Sequence, residues 1–112
     1  MKIAFLFTLL FLFYVLSAQE PAEPELLSQI KVTKSDSDKV KIYIKLHNLS
    51  FKSDLEKSEE YARQMLKYGK ASNILLWENK GYLGLARCAR KRRQYNFVLK
   101  YDSLSLLCTQ RA

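Results

Sequence analysis

Residues 54–70 carry apolar side chains at every third or fourth position, with charged side chains between them. This spacing places an apolar stripe on one side of an α-helix and a charged surface on the other. The predicted inward stripe consists of Leu55, Ser58, Tyr61, Ala62, Met65 and Leu66. On the charged side, Glu59 and Arg63 stand four residues apart, a spacing that favours an ion pair along a helix. The pattern therefore predicts an amphipathic helix.

Residues 40–46 have a different pattern, in which apolar and polar side chains strictly alternate. Alternation with several β-branched residues is typical of a half-buried β-strand. However, no partner strand is recognisable elsewhere, and a lone strand leaves its backbone hydrogen bonds unmade. The polar residues from Ser35 to Asp38 also offer helix N-caps directly before the segment. We therefore predict a helix over residues 36–51.

The pattern of the remaining residues predicts a spacer and three more helices. Both prolines lie in residues 19–25, which are expected to be extended, and a short helix is expected over residues 26–34. Two long helices are expected over residues 74–93 and 94–108. Together with the two helices described above, this pattern predicts an all-α protein.

Particular residues are expected to start, end and pack these helices. Ser53 and Glu56 have the spacing of a capping box, and Gly69 is expected to end the helix that they start. Gly81 and Gly84 lie inside the predicted 74–93 helix, where each glycine costs about 1 kcal/mol relative to alanine. We expect that cost to be accepted because the preceding helix packs against their backbone.

A weak internal repeat relates the second half of the chain to the first. At an offset of 40 residues, Tyr61 aligns with Tyr101 and Leu66 with Leu106. A period of this size is typical of stacked helix pairs. The sequence therefore predicts about two antiparallel helix pairs, residues 35–73 and 74–112, stacked as a short solenoid.

The N-terminus has the pattern of an export signal. Lys2 precedes an apolar run over residues 3–16, and Ser17 and Ala18 are small residues suited to cleavage. The run is shorter than the roughly 20 residues that span a bilayer. We predict that residues 1–18 are a cleaved signal peptide and that the protein is periplasmic or secreted. An uncleaved membrane anchor is the alternative.

The predicted helix pairs resemble tetratricopeptide repeats (TPRs). The Leu83-Gly84 dipeptide in one helix and Tyr95 at the start of the next match that family, although Lys80 and Arg87 stand where it has large aromatic residues. Residues 34–66 are similar to the N-terminal repeats of exported bacterial sensor kinases and helix-turn-helix regulators. The resemblance implies a non-catalytic scaffold for protein–protein interaction in the cell envelope, or the truncated sensory front of a signalling protein.

The resemblance also implies where a partner binds. In TPR proteins, the first helix of each pair lines the inner surface. The corresponding positions here are Lys41, Lys45, Asn48, Glu78, Leu85 and Cys88. Lysines and an asparagine on one helix face are suited to a peptide carboxylate or to acidic side chains. The alternative is that Lys41 and Lys45 are only the exposed side of an amphipathic helix.

Charge adds a second candidate surface. The chain carries a net charge of +8, which attracts acidic surfaces without selecting among them. The densest cluster consists of Arg87, Arg90, Lys91, Arg92 and Arg93. It predicts either a site for an acidic protein or an anionic membrane, or a solvated helix end whose positive charge complements the helix dipole. Export argues against nucleic acid. Arg87, Arg90 and Arg93 are the candidate binding residues, and a small secreted basic effector is the alternative function.

The sequence predicts neither an enzyme nor a cofactor. His47, the single histidine, has no catalytic partner at a recognised spacing, and Glu59 and Glu60 point about 100° apart on a helix. Cys88 and Cys108 are expected to be buried and not bridged to each other, with a disulfide between Cys108 and a second chain as the alternative. On a helical hairpin they lie roughly 15 Å apart along the axis, whereas a disulfide needs Cα atoms within about 7 Å.

The last predicted helix is expected to present apolar residues to water unless another helix covers it. Self-association is one expectation from this exposed face. The other is that the chain is the first part of a longer protein.

Overall fold

The structure is a computed structural model and describes residues 22–111. Within this range it is all-helical, which confirms the predicted class. The helices are α1 (Glu23–Val32), α2 (Asp36–Ser50), α3 (Leu55–Ala71), α4 (Leu75–Lys91) and α5 (Tyr95–Arg111). The predicted signal peptide and its cleavage site lie outside the described residues.

The segment with alternating polarity is helical and forms the first half of α2. Its buried residues follow a helical spacing: Val40, Tyr43, Leu46 and His47. Ile42 and Ile44 are half-buried and pack against the core from the flanks of the helix, which explains how an alternating pattern fits a helix. Ser35 caps α2, since its hydroxyl accepts a hydrogen bond from the amide of Asp38 at 3.4 Å.

Two predicted helix starts are wrong by a few residues. α1 begins at Glu23 rather than at residue 26, and Pro24 lies in its first turn. Proline is tolerated there because the first amides of a helix have no intrahelical acceptor. α3 is capped by Asp54 rather than by Ser53, and the Asp54 carboxylate accepts a hydrogen bond from the amide of Lys57 at 3.1 Å.

α3 and α4 end in the same way. Asn73 and Arg93 follow the two helices, and each has a φ of 58°, in the left-handed region that often terminates helices. After α4, the amide of Gln94 donates a hydrogen bond to the carbonyl of Ala89 at 2.9 Å. The prediction that Gly69 ends α3 is wrong, because this glycine lies inside the helix.

Each helix packs on the next one along the chain, and α2 also contacts α4. The core is built by all the helices up to α4: Leu26, Tyr43, Leu46, Tyr61, Ala62, Met65 and Leu85. α3 and α4 approach closely at two glycines. A β-carbon on Gly81 would lie 2.5 Å from the Cα of Leu66, and one on Gly69 would lie 2.6 Å from the carbonyl oxygen of Trp77. The predicted packing of the preceding helix against Gly81 is confirmed.

A carboxylate ties α1 to α3. Glu23 accepts a hydrogen bond from the Tyr61 hydroxyl at 2.6 Å and forms an ion pair with Lys57 at 2.9 Å. These two hydrogen bonds, that of Tyr61 first, lower the pKa of Glu23. The carboxylate therefore stabilises the position of α1 while it is ionised.

α5 leaves a large apolar surface in water. Val98, Ser105 and Cys108 face inward, whereas Leu99 is 67% exposed and Leu106 is 58% exposed. The expectation that the last helix presents apolar residues to water is confirmed.

Candidate functional site

The candidate site is the exposed surface along which α2 and α4 lie side by side. Lys41 is placed over the ring of Trp77, with its Nζ 5.6 Å from the ring centroid. Further along, Arg87 donates a hydrogen bond to the Asn48 side chain at 2.9 Å. Early residues of α2 thus meet early residues of α4, and late residues meet late ones, so the two helices run in the same direction. We call this region the α2–α4 surface. It consists of Lys41, Lys45, Asn48, Phe51, Arg87 and Lys91.

At one end of the α2–α4 surface, Phe51 contacts two cations of α4. The guanidinium carbon of Arg87 lies 3.7 Å from the centroid of the Phe51 ring, and Nζ of Lys91 lies 4.5 Å from it. Lys91 also donates a hydrogen bond to the carbonyl of Phe51 at 2.7 Å. These contacts hold two cations beside the carboxyl end of α2, where a helix carries partial negative charge.

Most of the positive charge on the α2–α4 surface has no acidic partner. Among the described residues, Lys45, Arg87 and Lys91 form no ion pair, and Lys41 is paired only with Asp38, at 3.6 Å. The surface therefore offers cations and an amide to an acidic ligand.

The predicted basic cluster is divided among different contacts. Arg92 forms an ion pair with Glu59, and Arg90 forms one with Asp102 at 3.3 Å. Arg93 occupies the left-handed position after α4. Of the candidates Arg87, Arg90 and Arg93, the structure brings only Arg87 together with Lys41, Lys45 and Asn48. The cluster is not one anion site, because its arginines are directed to different helices.

Three positions that the family resemblance placed on this surface lie elsewhere. Leu85 is 5% exposed and Cys88 is fully buried, so the prediction that they line an open surface is wrong. Glu78 is turned toward α5, where it accepts a hydrogen bond from the thiol of Cys108 at 3.4 Å. The exposed positions of α4 are instead Leu76, Lys80, Leu83, Arg87, Arg90 and Lys91.

Both cysteines are free and buried, as predicted. Burial raises the pKa of both the Cys88 thiol and the Cys108 thiol, and the hydrogen bond to Glu78 raises the pKa of Cys108 further. Both side chains are therefore thiols near neutral pH and act as small packed residues.

His47 lies in a buried polar cluster that the sequence did not predict. Its Nδ1 is 2.8 Å from Oγ of Ser58 and 2.9 Å from the Ser58 carbonyl oxygen. The Ser58 hydroxyl donates a hydrogen bond to the His47 carbonyl at 2.9 Å, and Sγ of Cys88 lies 3.9 Å from the same hydroxyl. The cluster connects α2, α3 and α4. A serine eleven residues from a histidine has no recognisable spacing, so only the packing of the helices reveals the contact.

A groove of about 200 Å³ lies on another side of the molecule, where α3 and α5 flank α4. Phe97 and Tyr101 stack on one wall, and Glu59 lies on the other. Glu59 is already paired with Arg63 and Arg92. Because its charges are satisfied internally, this groove presents less unpaired charge to a ligand than the α2–α4 surface does.

Within residues 22–111, no helix is long and apolar enough to cross a membrane. The same residues hold no group of three or more potential metal-ligating side chains.

Comparison of the chain with models of protein families, with curated proteins and with solved structures found no match.

Proposed function

We propose that this protein is a non-catalytic interaction module of TPR-like helix pairs, which binds an acidic protein or peptide segment on its α2–α4 surface. One observation carries the proposal. The hydrogen bond between Arg87 and Asn48 joins α4 to α2, so that Lys45 and Arg87 lie on one exposed surface, and neither has an acidic partner within residues 22–111.

The chemistry of the surface supports an acidic, extended partner. Lysine and arginine cations, together with the Asn48 amide, match the hydrogen-bonding needs of carboxylates. They are spread along two parallel helices rather than gathered in a closed pocket. A segment with several carboxylates can therefore contact the surface at more than one point.

The proposal includes a location in the cell envelope, periplasmic or secreted, and a scaffolding or sensory role there. The location depends on residues 1–18 alone, with an uncleaved anchor as its alternative. The role as the sensory front of a signalling protein depends on the resemblance of residues 34–66 to exported repeat proteins. The location is tested separately from binding, by the N-terminal sequence of the protein recovered from its natural compartment.

A pair of charge variants tests the binding proposal. The first neutralises the surface with Lys45→Gln and Arg87→Gln, and the matched control neutralises Lys31→Gln and Lys100→Gln, which are exposed on α1 and α5. Both variants lose the same net charge. With peptides rich in aspartate and glutamate as the probe, we expect the surface variant to lose roughly tenfold or more in affinity and the control to change little.

The alternative function predicts a different result in the same experiment. A basic effector that adheres to acidic surfaces through its net charge should lose affinity equally in both variants, and binding should weaken steeply with salt. Vesicles containing anionic phospholipid are the second probe. Binding to vesicles but not to acidic peptides would contradict the proposed interaction module and favour the effector.

A further inference from the structure

The buried contact between His47 and Ser58 fixes where the protons lie. A serine hydroxyl has a single hydrogen, and the Ser58 hydroxyl donates it to the carbonyl oxygen of His47. Toward Nδ1 of His47, both the hydroxyl oxygen and the carbonyl oxygen of Ser58 can therefore act only as acceptors. Nδ1 must carry the ring proton, and Nε2 presents a bare lone pair.

Nε2 of His47 is buried and has no hydrogen-bond partner among residues 22–111. The side chain is 3% exposed, so water does not replace the missing partner at the surface. A neutral ring tolerates this environment, because only a weak acceptor is left unpaired. A second proton on Nε2 would instead create a buried cation with an N–H that has no acceptor.

The surroundings of His47 do not favour that cation. The Phe51 ring, which follows α2, lies 6.0 Å from the His47 ring, and Arg87 and Lys91 of α4 lie over the Phe51 ring. The charged or titratable side chains around the cluster are Glu59 of α3, Arg87, Cys88 and Lys91 of α4, and Arg92 directly after α4. Glu59 is engaged by Arg63 and Arg92, and Cys88 is a neutral thiol. No free carboxylate among the described residues is therefore placed to stabilise a protonated His47.

We propose that the His47–Ser58–Cys88 cluster is a proton-sensitive latch, which opens the junction of α2 with α3 and α4 when His47 takes up its second proton. Protonation favours conformations in which Nε2 reaches water, and this requires the carboxyl end of α2 to leave α3 and α4. Asn48 and Phe51 lie on that end, so opening also disperses the α2–α4 surface. The latch itself does not depend on what that surface binds.

The direction of the pH dependence follows from burial. Burial first, and then the positive charge of Arg87, lower the pKa of His47 below 6.5, although the bond to the Ser58 carbonyl acts in the opposite direction. The unfolded chain therefore binds this proton at a higher pH than the folded chain. Stability is fully present above about pH 6.5 and is lost as the pH falls from there toward the lower folded pKa.

The single histidine makes the test direct. In the tag-free protein, one histidine resonance is followed by proton NMR between pH 8 and 5, and we expect it to titrate below pH 6.5. Amide exchange, corrected for the intrinsic effect of pH, should show that the carboxyl half of α2 loses protection at pH 5.5 relative to α5. The opening constant should rise about tenfold for each unit of difference between the unfolded and folded pKa.

Two results would overturn the latch. The first is a His47 that titrates at or above pH 6.5 in the folded protein. The second is a loss of protection that spreads evenly over α2 to α5, which would mean that acid acts on the whole fold rather than on this junction. A variant provides a further test: His47→Asn keeps a hydrogen-bond donor near Ser58 but does not titrate. Its unfolding temperature should be flat between pH 5.5 and 7.5, whereas that of the natural protein falls, and equal slopes would also contradict the proposal.

Discussion

The backbone of Leu66 occupies the space that a side chain on Gly81 would need. A β-carbon at position 81 would lie 2.5 Å from the Cα of Leu66 and 2.7 Å from its amide nitrogen. Backbone atoms cannot move aside as the end of a flexible side chain can. Gly81 therefore sets the distance between α3 and α4, and with it the position of the α4 side chains that reach the α2–α4 surface.

Gly81→Ala should destabilise the protein strongly. Alanine gains about 1 kcal/mol in helix propensity, but overpacking against a backbone typically costs 1–3 kcal/mol or more. We expect a net loss of about 1–2 kcal/mol in the free energy of unfolding, measured by chemical denaturation. Gly84→Ala is the matched control. Its β-carbon would meet only the side chains of Ala62 and Met65, at 3.2 and 3.3 Å, so a loss as large as that of Gly81→Ala would contradict the account.

The start of α3 gives a prediction that separates two adjacent residues. Asp54→Ala removes the observed cap and should lower the free energy of unfolding by about 1 kcal/mol. Ser53→Ala should change it by much less, because Ser53 makes no side-chain hydrogen bond to the helix among the described contacts. Thermal unfolding of the two variants side by side checks this. A larger loss of stability in Ser53→Ala than in Asp54→Ala would contradict the Asp54 cap and support the capping box of Ser53 and Glu56.

Ser58→Ala tests the buried cluster independently of pH. The substitution removes the hydroxyl that bonds to the His47 carbonyl at 2.9 Å and leaves the Ser58 carbonyl as the remaining acceptor for Nδ1. We expect a loss of about 1–2 kcal/mol in unfolding free energy at pH 7.5, typical of a buried hydrogen bond. Ser103→Ala, on the exposed side of α5, should be nearly neutral. Equal effects of the two substitutions would contradict a structural role for the cluster.

Acid should release α1 at a lower pH than the His47 latch. The pKa of Glu23 is lowered in the folded protein, so its contribution to stability is present above the ordinary carboxyl pKa and is lost as the pH falls through the folded value. Amide signals of α1 should shift toward those of an unfolded segment below about pH 4.5, before those of α3.

Substitution of two neighbouring glutamates provides the control for this acid transition. Glu23→Gln should weaken the attachment of α1 already at neutral pH, because an amide does not form the ion pair with Lys57, while Leu26 still holds α1 to the core. Glu25→Gln, on the same helix but exposed, should leave α1 in place. If both variants retain α1 equally, the link through Glu23 does not hold the helix.

Much of the helical architecture could be predicted from local pattern. The buried face of α3 follows the three- and four-residue spacing of its inward residues, and the glycines of α4 indicated the close packing that is observed. For α2, whose apolar residues alternate, the helix was indicated by its N-capping residues and by the lack of a recognisable partner strand. Helix ends were less predictable. Asn73 and Arg93 follow helices and adopt the left-handed conformation. Asparagine is enriched in that conformation, whereas an arginine gives no signal for it in the sequence. Ser53 and Asp54 are adjacent residues that can both cap a helix, and the structure shows that Asp54 caps α3.

The candidate site was only partly predictable, for a physical reason. Lys41, Lys45 and Asn48 could be named from the family resemblance and Arg87 from the charge cluster, and the four lie on one surface. Glu78 and Cys88 were misplaced, since a small rotation of α4 decides whether a residue faces α2, α3 or α5. The partners of Arg90 and Arg92 lie on neighbouring helices, at Asp102 and Glu59, and sequence spacing does not show such contacts.

The central claim is that an acidic partner binds along the α2–α4 surface. Its most direct test is to titrate an aspartate- and glutamate-rich peptide into isotope-labelled protein at pH 7.5 and to map the backbone amides whose NMR signals move. The account predicts a continuous set of shifts on α2 and α4, around Lys45, Asn48 and Arg87. Shifts concentrated on α5, or spread over all basic residues alike, would contradict it.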